Sequence, residues 1–113
     1  MNLLEVSSDR QGERFVITVA GELDVSTAPI LQRELERVVD ESPSSIRLDL
    51  SALRFMDSTG LQLVLSAATR AQEDGRQLEL VRSTGSVQRV FQVAGLEERL
   101  MFVDPERDGS TGG

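Results

Sequence analysis

The sequence predicts an α/β domain with a mixed, mostly parallel sheet of four to five strands and helices packed mainly on one face. Three observations carry that expectation. Strand-like and helix-like segments alternate in the order β-β-α-β-α-β-α-β, and strands separated by helices of about a dozen residues are joined by parallel crossovers. The segments SIRLDL and QLEL alternate apolar and polar residues, unlike the continuous apolar runs of strands covered on both faces. The chain has 113 residues, enough for one domain with its own core.

Taken in order, MNLLEV is a first strand, and SSDRQGE, with Gly12, marks a turn. RFVITVAG is rich in β-branched residues and apolar on both parities, which suits a well-covered strand ending near Gly21. These two strands are placed to form an antiparallel hairpin. In STAPILQRELERVVD, Leu31, Leu35, Val38 and Val39 fall on one helical face, with Ser26 or Thr27 as cap and Pro29 in the first turn.

Pro43 and its neighbouring serines break the chain before SIRLDL, whose Ile46, Leu48 and Leu50 alternate with Arg47 and Asp49. From Ser58 the spacing of Leu61, Val64, Leu65 and Ala68 is helical and runs to Asp74, where Gly75 is the stop signal. QLELV is a short strand with Glu79 outward. SVQRVFQVAG then sets Val87, Val90, Phe91 and Ala94 on one helical face before Gly95, and MFV is the last strand. The domain is expected to span residues 1–104. The polar stretch that follows, 105–113, reads as a flexible tail with nothing to bury.

Composition removes most enzyme chemistries. With no histidine and no cysteine, the chain cannot assemble a Ser-His-Asp or Cys-His set, a zinc site or a redox thiol pair. All 12 positive charges are arginines, so a phosphate-binding loop lacks its lysine. No cofactor or metal is expected. A formal charge of -7, with four phenylalanines as the only aromatics, opposes direct contact with nucleic acid. There is no apolar run for membrane insertion and no basic-then-apolar leader at Met1, so the expected location is cytoplasmic. A protein partner is the natural alternative.

The informative stretch is LDLSALRFMDSTGLQLVL, from Leu48 to Leu65, which sets hydroxyls and an acid at the entry to the second helix. Asp57, Ser58 and Thr59 are all good N-cap types, able to accept a bond from the free amides of the first turn, so simple capping accounts for any of them. Gly60 allows a close turn. Phe55 is expected in the core; Met56, just before the elbow, fits either the core or a partner surface. Asp49 and Glu79 read as solvated residues on polar strand faces, and the charges from Glu34 to Glu41 as the outer side of a helix. Glu22 reads as structural, or as part of an acidic rim beside Asp24.

DLS followed by FMDSTGL strongly resembles the signature of STAS domains, especially the stand-alone bacterial anti-sigma-factor antagonists. GELDVSTAPILQREL, with Gly21 and Asp24, and the segment from Gly95 to Phe102 are similar to further family segments, so the resemblance runs from Phe15 to Val103. It implies that Ser58 stands at the position phosphorylated by the cognate anti-sigma factor, itself an ATP-dependent serine kinase. Thr59 is the alternative acceptor. It also implies that Asp24 is the loop acid near the phosphoserine and that Asp57 is the acid before it. The expected partner-binding residues are Asp24, Met56, Asp57, Ser58, Thr59 and Gly60. The expected partners are an anti-sigma factor with serine kinase activity and a phosphoserine phosphatase that resets the switch.

Other readings compete with this one. The same fold serves as an accessory subunit in transporter or stress-signalling assemblies, with the serine only a cap. A receiver-like domain phosphorylated on aspartate normally needs a lysine, which is missing. Catalysis by Asp57 and Ser58 lacks any base beyond carboxylates to activate the hydroxyl.

Overall fold

The computed structural model describes residues 3–105. Its elements are β1 (Leu4–Gln11), β2 (Arg14–Leu23), α1 (Ala28–Val39), β3 (Ser45–Met56), α2 (Ser58–Glu73), β4 (Gln77–Val81), α3 (Gly85–Val93) and β5 (Phe102–Val103). The strands form one five-stranded sheet in sequence order. β1 pairs antiparallel with β2, and every later pairing is parallel. A sheet that grows steadily in one direction through crossovers of one hand carries its helices on one face. The core agrees: Ile17 and Val19 of β2, Leu48 and Leu50 of β3 and Leu80 of β4 pack with Leu31 and Val38 of α1, Val64 of α2 and Phe91 of α3. Phe91 meets Phe102 edge-on, ring centroids 5.1 Å apart, a favoured aromatic geometry.

Helix ends follow the local sequence. At α2 the Gly75 amide donates to Gln72 O (3.2 Å) and the Arg76 amide to Ala71 O (2.8 Å). At α3 Gly95 and Leu96 repeat the pattern on Gln92 O and Phe91 O. Both are Schellman closures, with Gly75 (φ 71°) and Gly95 (φ 72°) in the left-handed position.

Five expectations are corrected. SSDRQ, read as a turn, belongs to β1, whose register with β2 runs to Gln11↔Arg14. Its polar residues are tolerated because an edge strand is held by its neighbour's ladder, not by its own apolar pattern. β2 continues past Gly21 to Leu23. Glu79 is not free in solvent: it lies opposite Arg47 in the β3–β4 register, receives its guanidinium at 2.9 Å and has Arg14 at 3.9 Å. Asp49, by contrast, stays partly exposed on its polar strand face as expected, accepting from the Ser51 amide (2.9 Å) and hydroxyl (2.6 Å). Glu34 also turns inward, bonding Ser8 of β1 and Arg37; the Arg37 hydrogen bond, foremost, lowers its carboxyl pKa. Lastly, Ala94 is the exposed C-cap of α3, and Gln88 is buried on that helix beside Val87.

No helix among the described residues is long and apolar enough to cross a membrane. Of the expected tail, Glu106 to Gly113 lie outside the described residues, as do Met1 and Asn2 of the expected domain.

Candidate functional site

β2 and β3 run parallel, so their C-terminal ends lie at one edge of the sheet, the edge where α/β folds characteristically present ligand-binding residues. Leu23 pairs with Met56 at that edge, and the Asp57 amide donates to Leu23 O at 3.2 Å. The two acids singled out in the sequence, Asp24 and Asp57, thus follow directly from adjacent strand ends.

Asp24 organises the turn into α1. Its carboxylate accepts from the Ser26 hydroxyl (2.7 Å), the Ser26 amide (3.0 Å) and the Thr27 amide (3.2 Å). The Ser26 hydroxyl, foremost, and then these amides lower its pKa, so it is ionised throughout the neutral range. Thr27 occupies the N-cap of α1, yet its side chain does not cap the helix. Its hydroxyl instead donates to Glu22 O at 2.8 Å and receives the Asp24 amide at 2.9 Å.

At α2 the structure chooses among three candidate caps. Asp57 is the N-cap, in extended conformation, its carboxylate accepting the Gly60 amide at 3.1 Å. The Leu61 amide takes Asp57 O at 3.0 Å. Ser58 is therefore the first helical residue and not the cap. Its side chain is exposed and has no hydrogen-bond partner among the described residues, whereas Thr59 is half-buried. Asp57→Ala removes the cap and is expected to destabilise the fold by about 1 kcal/mol, read as a lower urea midpoint at unchanged slope.

Gly60 is required by space. A Cβ there would stand 2.7 Å from Met56 Cγ and 2.8 Å from Leu23 Cγ, so glycine lets the first turn of α2 sit directly on the two paired strand ends. That packing buries Met56, at 4% exposure, while Phe55 is 46% exposed. Phe55, expected in the core, is thus the exposed member, and Met56, which fitted either place, lies in the core and drops out of the expected partner surface. The cause is a break in strand periodicity. Between Thr18↔Asp49 and Ala20↔Ala52, and again between Gly21↔Leu53 and Glu22↔Phe55, β3 carries an extra residue. Each bulge flips the parity of the side chains, so Leu50, Leu53 and Met56 point inward at intervals of three. Alternation read from SIRLDL does not reveal the bulges.

The edge thus brings together Asp24, Asp57, Ser58, Thr59 and Gly60 and adds two exposed apolar residues, Phe55 and Val25 (71% exposed). Val25 was not singled out by its sequence; its only signal is an aliphatic residue between an acid and two hydroxyls in the DVST turn. No group of three or more metal-ligating side chains is present among the described residues.

A family model described as "Mlab, STAS domain" matches residues 6–104. The chain is 30% identical over 112 residues to an anti-sigma-B factor antagonist of Listeria monocytogenes, covering 97% of this chain and 98% of that one. It is 29% identical over 101 residues to the anti-sigma-B factor antagonist of Staphylococcus aureus, covering 89% and 93%. Among solved structures, an anti-sigma factor antagonist from Mycobacterium paratuberculosis superposes with a TM-score of 0.81 at 25% identity, over 96% of this chain and 92% of that one. The Bacillus cell-fate determinant SpoIIAA in its phosphorylated form shares the fold, with a TM-score of 0.73 at 22% identity over 96% and 97%.

Proposed function

The chain belongs to the STAS domain family, in its anti-sigma-factor antagonist branch, and from that premise we propose that it works as a phosphorylation-controlled binding protein. Unphosphorylated, it captures an anti-sigma factor that is a serine kinase and so releases a sigma factor; phosphorylation of Ser58 ends the capture, and a phosphoserine phosphatase restores it. The chain itself performs no chemistry in this cycle.

The observation that carries the reading is the Ser58 hydroxyl, exposed and unbonded at the first position of α2. Because Asp57 and not Ser58 closes the helix end, the hydroxyl is free for a kinase to reach. Modifying it removes no structural bond. A phosphate there brings about −1.5 to −2 charges at neutral pH. The helix N-terminus tolerates that charge through its dipole and free amides, while a partner pressed against the edge meets it as bulk and repulsion beside ionised Asp24. Half-buried Thr59 is the poorer acceptor.

The test is incubation with candidate anti-sigma kinases and ATP, followed by mass-spectrometric mapping. A single phosphate on Ser58 is expected. Phosphate elsewhere, or none with any kinase the protein binds, overturns the proposal and favours an accessory docking role.

A further inference from the structure

Beyond Asp49↔Val81 the β3–β4 ladder ends, but β3 runs on to Met56. The β4 side of its bulged end therefore has no strand beside it, and buried backbone groups there need other partners. One is supplied from across the sheet edge. The Ser83 hydroxyl, just past β4, donates to Leu53 O at 3.3 Å. The Ser83 amide donates in turn to Gln88 Oε1 at 3.0 Å, and Gln88 Nε2 to Glu97 Oε2 at 2.8 Å. Glu97 Oε2 also receives Arg82 at 3.1 Å and Gln92 at 3.3 Å. Ser83 and Gln88 are 3% and 5% exposed, polar residues at core depth in positions that aliphatic side chains would otherwise fill.

Leu53 lies between the two bulges of β3. The backbone rotation there decides which way Phe55, Met56 and then Asp57 and Ser58 face. We infer that Ser83 and Gln88 are positioning residues for the phosphorylation site: they pin the Leu53 carbonyl and so hold the bulged end of β3 in the one rotation that presents Ser58 outward with Met56 inward. Neither residue touches Ser58. They act through Leu53, and Glu97 fixes Gln88 from the far side. This inference rests on the assignment of Ser58 as the modified residue, and it identifies what sets that residue's geometry.

Ser83→Ala deletes the bond to Leu53, and Gln88→Leu removes the support of Ser83 with little change of volume. Measured on the full chain by amide hydrogen exchange, each variant is expected to speed exchange across residues 53–59 by about tenfold or more through local opening, leaving α1 as in the parent. With a kinase that modifies the parent at Ser58, each is expected to lower kcat by about fivefold or more with KM little changed, because a misplaced hydroxyl costs rate and not docking. Unaltered exchange at 53–59, or a uniform rise over the whole chain, overturns the inference. If the parent itself takes no phosphate at Ser58, the function proposed above fails, and the exchange measurement still decides whether these residues hold the β3 end.

Discussion

Gly21→Ala is expected to destabilise the fold by about 3 kcal/mol, the sum of backbone strain and overpacking. Gly21 has φ 111°, a region L side chains rarely adopt. A Cβ on it would stand 2.1 Å from the Leu3 carbonyl oxygen, an atom that cannot swing aside because it already accepts the Glu22 amide at 2.7 Å. Relief requires moving the start of β1 or the end of β2. Either shift reaches the site, since the second bulge of β3 opens at Gly21↔Leu53 and Leu23↔Met56, two pairs on, carries α2. Urea unfolding at unchanged slope measures the loss, and the melting temperature should fall by on the order of 15 °C for a domain of this size. A loss below about 1 kcal/mol would show that the hairpin end yields more easily than a packed core normally does.

Gly21 also shows where sequence reading stops. The helices and the parallel strands were legible because their burial is periodic: Leu31, Leu35 and Val38 on α1, and Ile46, Leu48 and Leu50 on β3, are buried as their spacing implies. The polar half of β1 was not legible, because its strand state comes from the ladder to β2 and not from its own residues. Nor were the bulges of β3, which depend on the register between two strands and leave no mark in either alone. They turn Phe55 outward and Met56 inward. At the site, DSTG offered three candidate caps but not their division of labour, since Asp, Ser and Thr all cap helices well and only the geometry assigns that work to Asp57. The hydrogen-bonded chain from buried Ser83 and Gln88 to partly exposed Glu97 was invisible for a related reason. A serine and a glutamine in polar surroundings read as surface until the fold closes over them.

That division of labour makes Ser58 the place where substitution should alter binding most and folding least. Ser58→Ala is expected to melt within about 1 °C of the parent, as surface changes away from caps and cores do, and to hold an anti-sigma kinase with or without ATP. Ser58→Asp is expected to lose affinity by about 10- to 100-fold, or about 1.4–2.8 kcal/mol, while melting like the parent, because a carboxylate in the first turn suits the helix dipole. Phosphoserine, with nearly twice the charge, should lose more. Calorimetric titration at two salt concentrations separates the causes: repulsion from Asp24 and the partner is screened as salt rises, and steric exclusion is not. Partial recovery of Ser58→Asp at high salt, with alanine indifferent, identifies charge as the larger part of the switch. Equal affinity of the three proteins at both salts would mean that the partner does not cover this edge, and the switch would then have to be sought on another face of the domain.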